Sequence, residues 1–340
     1  MTTTTTTRWG TPEARQVLPA TAPEELWLEA RTHGIGGSEI PTITRAHSYQ
    51  TPYELWLEKT ATQTPEPTVN NLFWFGHKVE PILAERFTSE TGIQTRNTGM
   101  WRNKHHPWML ANPDRYTSDS GVLEIKTTTR YTDNGKTYLA GKVPEAHRQQ
   151  LTWYMMVTGR HTGHIIALVD REPVILGVTY DHDYAEQLVQ AGREFWEHVE
   201  ARTPPPVDPD TITGTEALQR WPEADAGSHV EAADSFETEM LLTWLAEAKQ
   251  EKATAESAIR EYESKLKAQI GDHEYLTVNG DPVARWQSVK PRASFDKDRA
   301  LSDLAEYAGV DSTDDEYQDL VDRYTKPGKP SRRFTIIQHS

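Results

Sequence analysis

Three consecutive prolines at 204–206, with a fourth at 209, divide this chain. Proline fixes φ and lacks a backbone N–H, so neither a helix interior nor a central strand passes through such a segment. Residues 203–210 are therefore expected to be a stiff linker. Before them, Phe75, Val79, Ile82, Leu83 and Phe87 have helical spacing, with Pro81 inside the helix. Residues 107–112 and 121–127 read as strands about a turn at 113–120, and 144–158 as a helix. Strands at 164–169 and 174–179 and an amphipathic helix at 183–201 complete an order that is α/β or α+β; α/β is the class adopted. After the linker, Leu241, Leu245, Ala248, Lys252, Ala255, Ile259, Tyr262 and Leu266 step by 4 and 3. That is a heptad stripe on a helix roughly 50 Å long. Asn279-Gly280, between segments 275–278 and 283–289, signals a hairpin. A helix near 296–308 and a strand at 332–337 follow. The expected organisation is a disordered tail over 1–20, a domain over 21–200, a Pro-rich acidic linker over 201–234, and an arm with a small β unit and a basic tail over 235–340. Thr21 and Glu24 have the spacing of a capping box for a first helix, and Ser38 could cap a second.

Charge and composition narrow the function classes. The net charge is −15, which argues against coating nucleic acid by bulk electrostatics. Its distribution is uneven: residues 96–148 carry 9 basic and 5 acidic side chains, and residues 323–340 carry 5 basic and none acidic. Local basic strips on an acidic exterior suit a selective polyanion binder. With no cysteine, disulfides, Cys-ligated zinc, iron–sulfur clusters and Cys nucleophiles are excluded. No stretch reaches the roughly 20 apolar residues of a membrane helix. Residues 1–7 lack the pattern of a signal peptide, and an intracellular setting is expected.

Glu-x-Lys occurs three times, at Glu124/Lys126, Glu247/Lys249 and Glu263/Lys265. The last two lie in the long helix, where i and i+2 do not face each other. Glu124 and Lys126 lie in an expected strand, where i and i+2 share a face. In a hairpin centred near Asp119, Asp114 pairs with Glu124, with Cβ atoms roughly 5 Å apart. Two carboxylates that close call for a cation, and a hard divalent ion such as Mg²⁺ takes oxygen ligands. Lys126 could then position or help deprotonate a water on that ion. From spacing alone an ordinary strand salt bridge beside a turn aspartate stays open. The Trp and Tyr residues read mostly as core, though Trp101 and Trp108 could stack on nucleic-acid bases near such a site.

Asn112-Pro113-Asp114, followed by Glu124-Ile125-Lys126, resembles the PD-(D/E)xK nuclease core. Arg31-Thr-His-Gly-Ile-Gly-Gly-Ser38, Phe75-Gly-His-Lys-Val-Glu80-Pro and the helix from Gln150 to Gly159 are similar to motifs of the YqaJ-type viral recombinases, the branch that includes the phage lambda exonuclease. The resemblance implies a restriction-endonuclease-like core, with a mixed central sheet flanked by helices, plus the long helix and small β unit. It implies that Asp114, Glu124 and the Ile125 carbonyl ligate Mg²⁺ (Mn²⁺ able to substitute). Lys126 would act on the attacking water, Glu80 would ligate or orient the metal from its helix, and Gln150 would hold the nucleophile or a phosphate. Arg31, Ser38 and the Gly36-Gly37 turn would bind the DNA 5′-phosphate. Arg115 stands where the family usually has a small residue, Thr152 where many members have a second Gln, and Glu39 replaces the commoner Asp. The activity implied is a 5′→3′ exonuclease on double-stranded DNA ends, giving 3′ single strands for phage-type recombination. An oligomeric ring and a RecT-like single-strand annealing protein as partner are implied too, in the cytoplasm of a host cell if phage-encoded. The alternatives are an endonuclease or structure-specific nuclease on the same core, or a non-catalytic DNA-binding or assembly protein.

Overall fold

The computed structural model describes residues 9–47, 49–62, 71–288 and 297–309, with 317, 319 and 321. It divides into two units, Met1–Ala217 and Leu218–Ser340.

In the first unit the element order is β1 (Ala14–Leu18), α1 (Glu24–Thr32), α2 (Ile40–Ile43), α3 (Pro52–Thr60), α4 (Asn71–Thr91), β2 (Thr95–Asn97), β3 (Met100–Asn103), β4 (Leu110–Ala111), β5 (Arg115–Thr117) and β6 (Gly121–Thr128). Then come α5 (Asp133–Leu139), α6 (Glu145–Thr158), β7 (Thr162–Val169), β8 (Glu172–Thr179), α7 (His182–Glu200) and α8 (Gly214–Arg220), the last reaching the unit boundary within the segment expected to be linker. The main sheet has five strands in the order β2-β5-β6-β7-β8. Only β6 and β7 run parallel, and the parallel step is the one bridged by helices, α5 and α6, as parallel strands require. The mixed, helix-flanked sheet expected from the sequence is present.

Alternation along β6 and β7 feeds two cores. Val122, Ile165, Ala167 and Val169 pack with Leu151, Trp153, Met155 and Val157 of α6 and with Leu188 and Phe195 of α7. Leu123 and Ile166 pack on the other side with Leu83 and Phe87 of α4. The helices start and stop for local reasons. Thr51 and Glu54 form a reciprocal capping box before Pro52 at the start of α3. Asp181 caps α7, and α6 ends at Gly159 with φ 70°, where an L side chain would be strained.

Several expectations are corrected. The tail expected to be disordered over 1–20 contains β1, which pairs antiparallel with β3 in a separate three-stranded sheet with β4. Residues 107–112 contribute only the two-residue β4 to that sheet, and the expected 113–120 turn contains β5, which belongs to the main sheet. Pro113 stands between the two, where a chain without a ladder donor changes sheets. Pro23, with no side-chain cap, precedes α1, so Thr21 forms no capping box; Glu39 rather than Ser38 stands at the start of α2. Trp101 and Trp108 are half-buried and pack against the core, on Tyr116 and Trp153 respectively.

In the second unit, α9 (Ser235–Ile270) is capped by Asp234 and has 36 residues. The hairpin β9 (Tyr275–Val278) and β10 (Asp281–Arg285) turns through Asn279 and Gly280, both at positive φ, as the dipeptide predicts. α10 spans Lys297–Ala308. The expected strand at 332–337 and the basic tail from Arg323 lie outside the described residues.

Candidate active site

Strands β5 and β6 pair as Arg115↔Leu123 and Tyr116↔Val122. The next step in that register sets Asp114 opposite Glu124, as the hairpin spacing predicts. Opposed residues share a face and successive ones alternate. Arg115 therefore follows Leu123 toward α4, while Glu124 and Lys126 follow Val122 toward α6.

The site builds up around Glu124, which is 3% exposed. The Lys126 ammonium lies 2.6 Å from Glu124 Oε1. Gln150 Nε2, from the first half of α6, donates to the same oxygen at 2.8 Å and to Tyr154 Oη at 2.9 Å. Asp114 Oδ2 accepts from the Ile125 N–H at 2.7 Å. Burial raises the Asp114 pKa well above the usual carboxylate range, with Glu124 and Glu80 adding to the rise. Burial also raises that of Glu124, against the opposing pull of Lys126. Burial alone would lower the Lys126 pKa, but Glu124 and Asp114 raise it overall, so the ammonium stays charged.

One atom fits a metal. Glu124 Oε2 is buried with no hydrogen-bond partner, and a buried unpaired carboxylate oxygen is costly. Two carboxylates and the Ile125 carbonyl are a donor set that suits a hard cation retaining several waters. Among the described residues no three His, Cys, Asp or Glu groups gather into a metal cage of their own.

Glu80 lies beside the site and has a direct partner of its own. Its carboxylate on α4 is ion-paired with Arg115, whose Nη1 also donates to the Asp114 carbonyl at 2.6 Å. Glu80 is thus near enough to act electrostatically on both site carboxylates, but its direct partner is Arg115.

The N-terminal motif forms a second cluster. Arg31 Nη2 donates to Glu39 Oε1 at 2.9 Å. Glu39 is buried and also takes the Gly36 N–H at 2.8 Å and the Lys59 ammonium at 2.8 Å. Lys59 further donates to the carbonyls of Arg31 and Gly34. Although burial works the other way, Lys59 and Arg31 hold the Glu39 carboxyl below its ordinary value. The Gly36 N–H is therefore already used within the turn. Gly37 serves packing: a Cβ there would lie 2.5 Å from Tyr154 Cε1 and 3.0 Å from the Gln150 carbonyl oxygen.

Two clefts border the site. Ser38, Lys126, His147 and Gln150 line one of about 370 Å³. Arg31, Glu80, Asn112, Asp114 and Arg115 line another of about 500 Å³. The structure thus brings Asp114, Glu124, Lys126 and Gln150 together, with Ser38 on one side and Arg31 on the other. Sequence reasoning missed Lys59, Tyr154 and the engagement of Glu80 by Arg115. Tyr154 sits in a helix whose pattern predicts only a buried face, and Lys59 in a helix not among those expected from the sequence; Arg115 was visible as an uncommon neighbour of Asp114.

Residues 26–161 match the YqaJ-like viral recombinase domain, a span that encloses the motifs from Arg31 to Gly159. The uncharacterized protein YqaJ of Bacillus subtilis (strain 168) is 26% identical over 269 residues, covering 77% of this chain and 83% of that protein. Among solved structures, the alkaline exonuclease LHK-Exo of Laribacter hongkongensis is 22% identical with a TM-score of 0.47, covering 52% of this chain and 93% of that one. A phage-related exonuclease of Haemophilus somnus 129PT is 12% identical with a TM-score of 0.38, covering 52% and 99%.

Proposed function

We propose that this chain, whose residues 26–161 match the YqaJ-like viral recombinase domain, is a divalent-metal-dependent exonuclease that degrades one strand of duplex DNA from its ends. The observation that carries this reading is the opposed pair Asp114 and Glu124, with one Glu124 oxygen held by Lys126 and Gln150 and the other buried and unpartnered. Asp114, Glu124 and the Ile125 carbonyl would hold the ion, Mg²⁺ with Mn²⁺ as a substitute. The ion supplies Lewis acidity and positive charge at the scissile phosphate. Lys126 donates to the attacking water and keeps it beside the carboxylates. Gln150, tied to Tyr154, fixes the Glu124 rotamer. Arg31 binds the terminal phosphate from the neighbouring cleft and sets the 5′→3′ polarity, with Ser38 on the far side of the site.

In this reading the product is duplex with 3′ single-stranded tails, the substrate of a RecT-like annealing protein in recombination. A ring of copies around DNA would keep the enzyme on its substrate. The direct test uses end-labelled linear duplex with and without a 5′-phosphate, and closed circular duplex, each with and without Mg²⁺. Mg²⁺-dependent loss of 5′-phosphorylated linear DNA, with the circle spared, supports the reading. Cleavage of the circle makes the protein an endonuclease on the same core. Full cleavage by Glu124→Ala removes the site assignment.

A further inference from the structure

Among the described residues, the longest element, α9, has an apolar face exposed along most of its length. On α9, Leu241, Ile259, Tyr262 and Leu266 are 54, 55, 61 and 41% exposed. Ala248, Lys252 and Ala255 on the same stripe are also exposed, and Leu245 is half-buried. A strict alternation of 3 and 4 over eight positions departs from the 3.6-residue turn of a lone helix. It matches a helix that supercoils with a partner of the same repeat.

The residues in the stripe select the partner and its direction. Two copies in parallel register would set Lys252 against Lys252 at the centre. They would stack Ala248 on Ala248 and Ala255 on Ala255, leaving gaps, and Glu251 would face Glu256 of the other copy across the flank. An antiparallel pair about the midpoint between residues 253 and 254 removes each conflict. It matches Leu241 with Leu266, Leu245 with Tyr262, Ala248 with Ile259 and Lys252 with Ala255, each twice by symmetry. The inner layers then oppose small and large side chains, as close packing requires. The Lys252 stem runs over the small Ala255, with its ammonium at the flank, 3.8 Å from Glu256 of the same helix. On the flanks Lys249 meets Glu256 of the other copy. Trp244, 55% exposed, meets Lys265, a cation–aromatic pairing.

We infer that α9 is a self-association element that forms an antiparallel two-helix coiled coil with α9 of a second copy of this chain. This contact lies in the second unit and stands independently of the nuclease reading.

The absence of native cysteine makes the test direct. Full-length Ala248→Cys and Ile259→Cys proteins are prepared, their helicity is checked by circular dichroism, and each is oxidised mildly alone and as an equimolar mixture. The antiparallel pairing places residue 248 beside residue 259 of the other copy. It separates the two 248 positions by about 16 Å along the axis, beyond the roughly 7 Å Cα reach of a disulfide. A disulfide-linked dimer is expected from the mixture and little from either protein alone. Efficient linkage of Ala248→Cys with itself would establish a parallel pair and overturn the inference. No linkage in the mixture would also overturn it, and would assign the stripe to another occupant, such as residues beyond 309. A charge reversal gives a second readout by sedimentation equilibrium. Lys249→Glu should weaken dimerisation several-fold, and adding Glu256→Gln, which removes the repulsion without setting a second lysine beside Lys252, should recover most of the loss. Failure of the double variant to recover excludes this register.

Discussion

Arg115 holds the Glu80 carboxylate with the same guanidinium nitrogen that donates to the carbonyl of Asp114. One side chain thus ties α4 to the residue that begins the site, and it offsets a negative charge facing Asp114 and Glu124. Arg115→Met should lower the stability of the metal-free protein by about 1.5–3 kcal/mol, the usual range for a hydrogen bond to a charged group. It should also enlarge the thermal stabilisation produced by added Mg²⁺, because the site becomes more negative and binding is linked to folding. Melting curves with and without Mg²⁺ test this. An unchanged Mg²⁺ shift would mean that Glu80 is electrically remote from the ion.

Asp114 is destabilising while it is charged and no ion is present. Burial, with Glu124 and Glu80, raises its pKa in the folded state, so the folded protein holds this proton to higher pH than the unfolded chain does. Stability linked to Asp114 is therefore fully present below the unfolded value of about 3.9 and is lost as pH rises through the higher folded value. Asp114→Asn, which can still accept from the Ile125 N–H, should melt a few degrees higher than the parent at neutral pH without metal. The advantage should shrink as the pH falls toward about 4, and the Mg²⁺ shift should be lost. A variant melting lower at neutral pH would contradict this balance of charges.

Lys126 and the helix Glu-x-Lys pairs should separate cleanly. Lys126→Ala should reduce the cleavage rate far more than DNA affinity. Glu247→Ala and Glu263→Ala should change stability by no more than about 0.5 kcal/mol, as exposed positions do, and leave cleavage unchanged. Single-turnover rates and binding isotherms distinguish these outcomes. Equal effects at all three would defeat the argument from the shared strand face.

The two turn glycines should not behave alike. Gly36 has room for a Cβ, whose nearest neighbour would be Glu39 Oε2 at 3.7 Å, so Gly36→Ala should be nearly silent. Gly37→Ala forces Tyr154 and the Gln150 backbone to move, an overpacking change of about 1–3 kcal/mol. Because Gln150 fixes Glu124, cleavage should fall along with stability. Denaturant melts and rates measured on both variants decide the matter.

The alternation of Glu124 and Lys126 in a strand, and a hairpin centred near Asp119 within the 113–120 turn signals, made the pairing of Asp114 with Glu124 legible in the sequence. Asn279-Gly280 located its hairpin for a similarly local reason: a two-residue hairpin turn demands positive φ, which these two residues tolerate and most others do not. β1 escaped because its burial pattern is irregular and its partner β3 lies about 85 residues away; a non-local pairing leaves little local trace. The division of residues 107–117 between two sheets was likewise hidden, since each strand is too short to show a period. The engagement of Glu80 by Arg115 depends on how α4 crosses the sheet, which no spacing within either segment encodes.

Arg31 rests on an internal acceptor, Glu39, which is itself held by Lys59. On the proposed reading, binding a DNA end is an exchange of anions at one guanidinium, with the protein's own carboxylate as the competitor. Such an exchange discriminates by charge. A terminal phosphate monoester carries about 1.5 to 2 negative charges at neutral pH, whereas an internal phosphodiester carries one. The internal linkages that fill most of a DNA molecule would then compete poorly for Arg31, so the arginine would be drawn from its resting partner chiefly at chain ends.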